Sequence, residues 1–316
     1  MKIGIIGLGA VGSFIAYILG QSGIELLTVT RADTIANHNI DCVSLYNSKI
    51  NGFVQVHNAA KHELANCDLI IITVKANGLS WAAHVLEQAQ ISTSIPLVYA
   101  VNGLPWWLKK QLGIITEDVD LFAPMNNHCW CGFINYINTS KNSNTVIHHS
   151  GQSITVQNSL ESYFNQFSIS LVEVFKSFNL SVVKVENLDS LLWQKLSGNA
   201  VISTICALNN VNTEQLLSSK IFVQIISQCI YEMNTIGICC GFQIISTPDE
   251  VIANIAKMHS FKPSMLIDVL NQRITEIDEL LGIPLRLADK HQLKVPALSG
   301  LYHAAQQSLA GEVALA

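Results

Sequence analysis

The sequence predicts an α/β protein in two parts: a doubly wound, mostly parallel sheet over residues 1–186, then an all-helical domain over residues 187–316. Three observations carry that expectation. Short apolar runs rich in Ile, Leu and Val alternate with helix-length segments through the first half. A glycine-rich turn follows the first of those runs. Past about Glu186 the strand signals fade and long helical segments take over. At 316 residues the chain is also longer than one hydrophobic core usually organises.

Lys2 to Gly7 is the first strand. The turn Gly7-Leu8-Gly9-Ala10-Val11-Gly12 follows as G-x-G-x-x-G, and Ser13 to Gly20 has the length and apolar spacing of a helix. That is the strand–turn–helix context of a dinucleotide site. The first glycine allows the turn, the second lets a pyrophosphate approach the backbone, and the third lets helix and strand pack closely. Free N–H groups at the helix start and its positive dipole end then face the phosphates. The first domain is therefore expected to be of the Rossmann type.

A second strand, Glu25 to Thr30, leads into Arg31. A guanidinium at that point suits a ribose 2′-phosphate and favours NADP, whereas Asp33, two residues on, keeps NAD as the alternative. Asp68 to Val74 and Pro96 to Val101 are further buried-type strands. They end at Lys75 and at Asn102-Gly103, and ligands of open parallel sheets lie beyond the carboxyl ends of strands. Cys129 to Val156, rich in Asn, Ser, Thr and His, suggests an antiparallel extension or long hairpin on the sheet. Ser162 to Asn179 reads as one amphipathic helix and Ser181 to Val185 as a closing strand.

In the second half, helices are expected over Leu188–Leu208, Thr213–Cys240, Pro248–Met258, Thr275–Leu281 and Leu285–His291. On the first of these, Lys195, Asn199 and Ser203 are spaced i, i+4, i+8 and share one face of an otherwise apolar helix. A lysine in such a run needs a partner or a purpose. Thr275 followed by Asp278 resembles a capping box, which would place Glu276 in the first helical turn as an anion stabilised by the dipole.

Taken in order, GLGAVG, Arg31, Lys75, Asn102-Gly103, W-x-K-L-x-x-N (Trp193 to Asn199), S-M-L-x-D (Ser264 to Asp268) and T-E-I-D (Thr275 to Asp278) resemble the ketopantoate reductases over essentially the whole chain. The resemblance implies NADPH-dependent reduction of a 2-oxo acid in a cleft between an N-terminal Rossmann domain and a C-terminal helical domain. It implies that the glycine turn and Arg31 hold the cofactor phosphates, and that Lys75 and Asn102 line the nicotinamide side. Lys195 would be the catalytic lysine and Glu276 a catalytic carboxylate. Asn102, Asn199, Ser203 and Ser264 would contact substrate. Hydride delivery to a ketone leaves negative charge on its oxygen, and an ammonium of lowered pKa can stabilise that charge and donate the proton. Ser203 stands where members usually carry a second asparagine, and Trp106-Trp107 adds bulk after Asn102-Gly103. Both departures bear on which ketone fits.

The composition excludes several classes. A net charge of −5 gives no general attraction for nucleic acid or an anionic membrane. No long uniformly apolar run suggests a transmembrane helix, and a cytoplasmic protein is the default. The 8 cysteines lack zinc-ligand or disulfide spacing, so free thiols and no metal are expected. The apolar stretch Ile221 to Cys240 suits a homodimer face or the core of the second domain, with the core the safer assignment. Two other readings stand beside the reductase. One is an NADPH-binding sensor without turnover. The other is a different Rossmann-plus-helical dehydrogenase of 3-hydroxyacid type.

Overall fold

The computed structural model describes residues 1–31, 36–45, 47–258 and 260–309; Asp33 lies outside them. The chain divides into two compact units. The first comprises Met1–Val101 with Ile115–Leu188, and the second Asn102–Ile114 with Asp189–Ala316. The segment Asn102–Ile114 joins the helical unit because Leu104, Leu108 and Ile114 are buried in that unit's core.

The first unit opens with β1 (Lys2–Ile6), α1 (Ala10–Gln21) and β2 (Glu25–Val29), followed by β3 (Ala36–Ser44) and β4 (Asn51–Asn58). Next come β5 (Leu69–Ile72), α2 (Leu79–Ala89) and β6 (Leu97–Tyr99). The chain visits the second unit through α3 (Trp106–Gln111) and returns as α4 (Glu117–Phe122). It then forms β7 (Trp130–Asn135), β8 (Asn138–Asn142), β9 (Thr145–Ser150) and β10 (Ser153–Gln157), and ends with α5 (Asn158–Asn165), α6 (Leu171–Ser177) and β11 (Ser181–Val185). Among the described residues these strands form one sheet in the order β11-β10-β7-β6-β5-β1-β2-β4-β3-β9-β8.

Strand β1 pairs in parallel with β2 on one side and β5 on the other, so the winding direction reverses at β1. A crevice at the carboxyl ends of β1 and β5 follows from that reversal. Strands β3 and β4 escape prediction because their polar residues, as in ANHNIDCVS, hide the apolar alternation. Cys129 to Val156 is split rather than one extension. Strand β7 continues the sheet in parallel from β6, while the β8–β9 hairpin pairs with β3 at the opposite end. That far end curls back, so that β4, β3, β9 and β8 all pack against α1. Enclosure on every side explains why Gly12 to Leu19 of α1 are uniformly buried. The predicted helix Ser162–Asn179 is two, α5 and α6, broken where Ser168 takes a left-handed φ of 57°.

The second unit is helical: α7 (Asp189–Asn209), α8 (Thr213–Ser218), α9 (Lys220–Cys239), α10 (Pro248–Ala256), α11 (Ser264–Leu270), α12 (Ile283–Lys290) and α13 (Pro296–Leu309). The stretch expected as one helix from Thr213 to Cys240 breaks at Ser219, whose hydroxyl accepts from Phe222 N–H and starts α9. Trp193 of α7 sits on Gly237 of α9 and donates its indole N–H to the Met233 carbonyl at 3.1 Å. Buried Glu232 caps α13 by accepting from Ala297 and Leu298 N–H.

Ahead of α12 the chain makes a π-helical turn, Asp278–Gly282, in which Ile283 N–H bonds the Asp278 carbonyl. Pro284 explains the wide turn: its ring would clash with a carbonyl four residues back in a regular helix, and a wider turn relieves it. The expected capping box is not made there. The π turn carries no side-chain cap, and Asp278 instead accepts from the Tyr302 hydroxyl at 2.6 Å. Among the described residues no helix is long and apolar enough to cross a membrane.

Candidate active site

The glycine turn lies at the carboxyl end of β1, where the sheet reverses. Gly7 has a φ of +98° and accepts from the Thr73 hydroxyl at 2.6 Å. A Cβ on Gly12 would stand 2.1 Å from the Gly7 carbonyl oxygen and 2.3 Å from Thr73 Oγ1, so the third glycine is required by packing. Gly9 is different: it is exposed, and a Cβ there would meet nothing within 4 Å. It is also the N-cap of α1 and supplies no side-chain cap. The N–H groups of the first helical turn have no partner within the helix, and the free space around Gly9 is what the approach of a dinucleotide pyrophosphate requires. Gly12→Ala should lower the melting temperature and weaken dinucleotide binding, read by thermal denaturation and by titration with a nicotinamide dinucleotide.

Arg31, just past β2, is exposed. It donates to the Asn77 carbonyl at 3.3 Å, with its guanidinium 5.9 Å from the centre of the Trp81 ring. Asn77 and Trp81 were not legible in the sequence, since only the fold brings the start of α2 beside β2. Lys75 is exposed beyond β5, on the same carboxyl-end side of the sheet as the turn.

In the second unit, Lys195 on α7 is half-buried and donates to Asn102 Oδ1 at 3.2 Å. Burial pulls the Lys195 ammonium down to about 8, and the neighbouring Glu276 carboxylate opposes that fall only in part. Glu276 is buried and stands just before the π turn, its carbonyl accepting from Leu280 N–H at 3.0 Å. Gly103, at φ +92°, packs so tightly beneath Glu279 that a Cβ would come within 2.5 Å of the carboxylate. Glu279 Oε2 in turn accepts from Lys109 Nζ at 2.8 Å. Lys195, Asn102, Gly103, Glu279 and Lys109 thus form one connected wall, with Glu276 on the same segment as Glu279. Sequence reasoning missed Lys109 and Glu279. The signal that could have found them is a lysine inside the apolar run WWLKK.

The remaining sequence candidates are placed less uniformly. Asn199 is half-buried one turn beyond Lys195. Ser203 is not brought to an open surface. It is 1% exposed, and its hydroxyl donates to the Asn199 carbonyl within the helix. Ser264 is exposed at the start of α11, which packs on α7. The motif's Asp268 is buried and accepts from Arg273 Nε at 3.0 Å, tying down the turn that leads to Glu276. Trp106 is a core residue and only Trp107 is partly exposed. A cavity of about 570 Å³ along α12 and α13, lined by Arg286, Lys294 and His303 among others, contains none of the predicted residues.

A sheet with an open phosphate-type turn at its reversal, and a separate helical unit carrying a desolvated lysine beside a carboxylate, define a nucleotide-dependent oxidoreductase. Comparison with known proteins agrees. The family model described as ketopantoate reductase PanE/ApbA matches residues 3–161, and its C-terminal model matches residues 187–308. The chain belongs to the ketopantoate reductase PanE/ApbA family and is an oxidoreductase. It is 24% identical to the 2-dehydropantoate 2-reductase of Nostoc sp., over 96% of this chain and 93% of that one. Its fold resembles a dimeric ketopantoate reductase from Staphylococcus aureus (TM-score 0.74, 21% identity, 99% and 100% of the two chains). It also resembles a D-mandelate dehydrogenase in complex with NADH (TM-score 0.74, 20% identity, 100% of both chains).

Proposed function

We propose that the chain reduces ketopantoate, or a closely related 2-oxo acid, to the corresponding 2-hydroxy acid with NADPH, and that Lys195 is the general acid. The observation that carries the proposal is the Lys195 ammonium, fixed 3.2 Å from Asn102 Oδ1 and lowered to about 8 by burial. When bound in the first unit, the reduced nicotinamide supplies the hydride. Lys195 then gives its proton to the ketone oxygen as negative charge builds there. The Asn102 amide holds the ammonium in place without adding competing charge. Asn199 orients the carbonyl, and Ser264 and Glu276 meet the carboxylate and hydroxyl ends of the substrate. The Glu276 carboxylate also keeps Lys195 protonated near neutrality, because its charge raises what burial lowers. A homodimer is the proposed assembly, after the Staphylococcus aureus relative; α9 exposes Ile221, Tyr231 and Ile238 to such a partner.

Arg31 is proposed to select NADP through the 2′-phosphate. One charge-assisted hydrogen bond is worth roughly 1.5–3 kcal/mol, so Arg31→Ala should cut the NADPH-over-NADH preference by about 10–100-fold. Titrating both nucleotides measures it.

The activity is tested by following nicotinamide absorbance with ketopantoate beside a panel of other 2-oxo acids and 3-oxo acids. Turnover of ketopantoate supports the proposal. A second reading is favoured by the inward-turned Ser203, whose hydroxyl is bound to the Asn199 carbonyl and so withheld from the substrate, and by the partly exposed Trp107, both of which alter what surrounds a 2-oxo acid. Turnover of an aromatic 2-oxo acid alone would select it. NADPH binding without turnover across the panel would select the sensor.

A further inference from the structure

We propose that Lys141, on the β8–β9 hairpin, is a further determinant of cofactor affinity: it locks the carbonyl side of the glycine turn and places a positive charge beside the pyrophosphate. The proposal rests on reading the first unit as the nicotinamide-nucleotide site. Nothing in the local sequence, NTSKNSNT, marks this lysine. It reaches the turn because the sheet curls its far end around α1.

There the Lys141 ammonium donates to the Leu8 carbonyl at 2.6 Å and to Ser13 Oγ at 2.9 Å. Ser13 Oγ itself donates to the Leu8 carbonyl at 3.1 Å. With Thr73 holding the Gly7 carbonyl, both carbonyls of the first turn residues are tied inward. The peptide planes of the turn, and with them the N–H groups of the following residues, are thereby held in one orientation. Lys141 sets the turn in the shape that receives a diphosphate before any ligand arrives.

The charge argument is independent of the geometry. All the partners of the Lys141 ammonium among the described residues are neutral. Burial lowers its pKa, with no carboxylate among the described residues acting to raise it. A half-buried cation without a counter-charge is costly on its own. It becomes favourable when a dianionic diphosphate takes a place next to it. An ammonium has three donors and two are used here, which leaves one for a phosphate oxygen.

The test is direct titration of NADPH and NADH, by nucleotide fluorescence, into the wild-type chain and the variants K141Q and K141R. Thermal melting of each variant without nucleotide accompanies it. A pyrophosphate contact is common to both nucleotides. K141Q should therefore weaken NADPH and NADH by the same factor, about 10–100-fold for one charge-assisted contact, leaving their ratio unchanged. K141R, which keeps the charge, should recover most of that affinity. In turnover assays KM for NADPH should rise while kcat at saturating NADPH stays within about twofold. Wild-type affinity in a folded K141Q would overturn the proposal. So would a loss confined to NADPH, which would put the charge at the 2′-phosphate, or tighter binding, which would make Lys141 an obstruction. If K141Q melts early, K141R carries the test: binding as weak as in K141Q would show that charge is not what matters. If the wild-type chain binds neither nucleotide, the reading of the first unit fails and takes this proposal with it.

Discussion

Lys195→Met should lower kcat for ketone reduction by roughly 10²–10⁴-fold, the range for a positioned general acid, while nucleotide affinity stays near wild type. The pH profile is the sharper signature. The proton donor must be charged, and the free chain holds Lys195 at about 8. The rate kcat/KM for reduction should therefore be level below that pH and fall about tenfold per unit above it. A bound substrate carboxylate adds negative charge near the ammonium, so the break in kcat should lie at higher pH than the break in kcat/KM. Glu276→Gln removes an anion that now raises the lysine's pKa. It should shift the kcat/KM break downward, which a merely structural carboxylate would not do.

The same lysine costs stability, and the sign can be worked out. Its ordinary pKa of 10.5 applies to the unfolded chain, and about 8 applies to the fold. Between those values the unfolded state binds more protons, so stability rises with pH across that window. Below about pH 8 the full cost is present, on the order of 3 kcal/mol for a fall of that size. Lys195→Met should then melt above wild type at neutral pH, and the advantage should vanish as pH approaches 10.5. A variant that is slower yet more stable is what an active-site lysine predicts.

What the sequence revealed, and what it did not, follows from the range of the interactions. GLGAVG was legible because the chemistry is local: a positive φ at Gly7 and the 2.1 Å approach to Gly12 leave glycine no substitute. Lys195 was legible because an isolated lysine in an apolar run is anomalous wherever it lies. Asn102 was legible from the strand end it follows, but it is 93 residues away, and nothing local encodes that it meets Lys195. Ser203 was misleading for a related reason. Spacing put it on the face of Lys195, but a buried serine in a helix can satisfy itself on the carbonyl four residues back, as this one does. Lys141, Thr73 and Trp81 depend on which strands become neighbours, and no local pattern encodes that.

The Lys109–Glu279 pair predicts the other large effect. Their side chains are 1% and 12% exposed, so Lys109→Met takes the ammonium away from a largely buried carboxylate beside Gly103. Breaking one partner of such a pair costs about 3–5 kcal/mol, and Lys109→Met should show it as a large loss in chemical unfolding followed by tryptophan fluorescence. Replacing both partners removes the buried carboxylate as well. The double variant K109M/E279L should recover most of that loss, because apolar side chains of similar size fill the space without a desolvation cost. Activity should not return with it. Glu279 is the roof over the Gly103 turn, and Asn102 beside that turn holds the Lys195 ammonium. The branched leucine cannot reproduce the flat carboxylate contact that seats the turn, so Asn102 should lose its bond to Lys195. A double variant stable but slow, with its kcat/KM break displaced from about pH 8, would mean the pair orients the site. Stability and activity recovering together would make it a packing element alone.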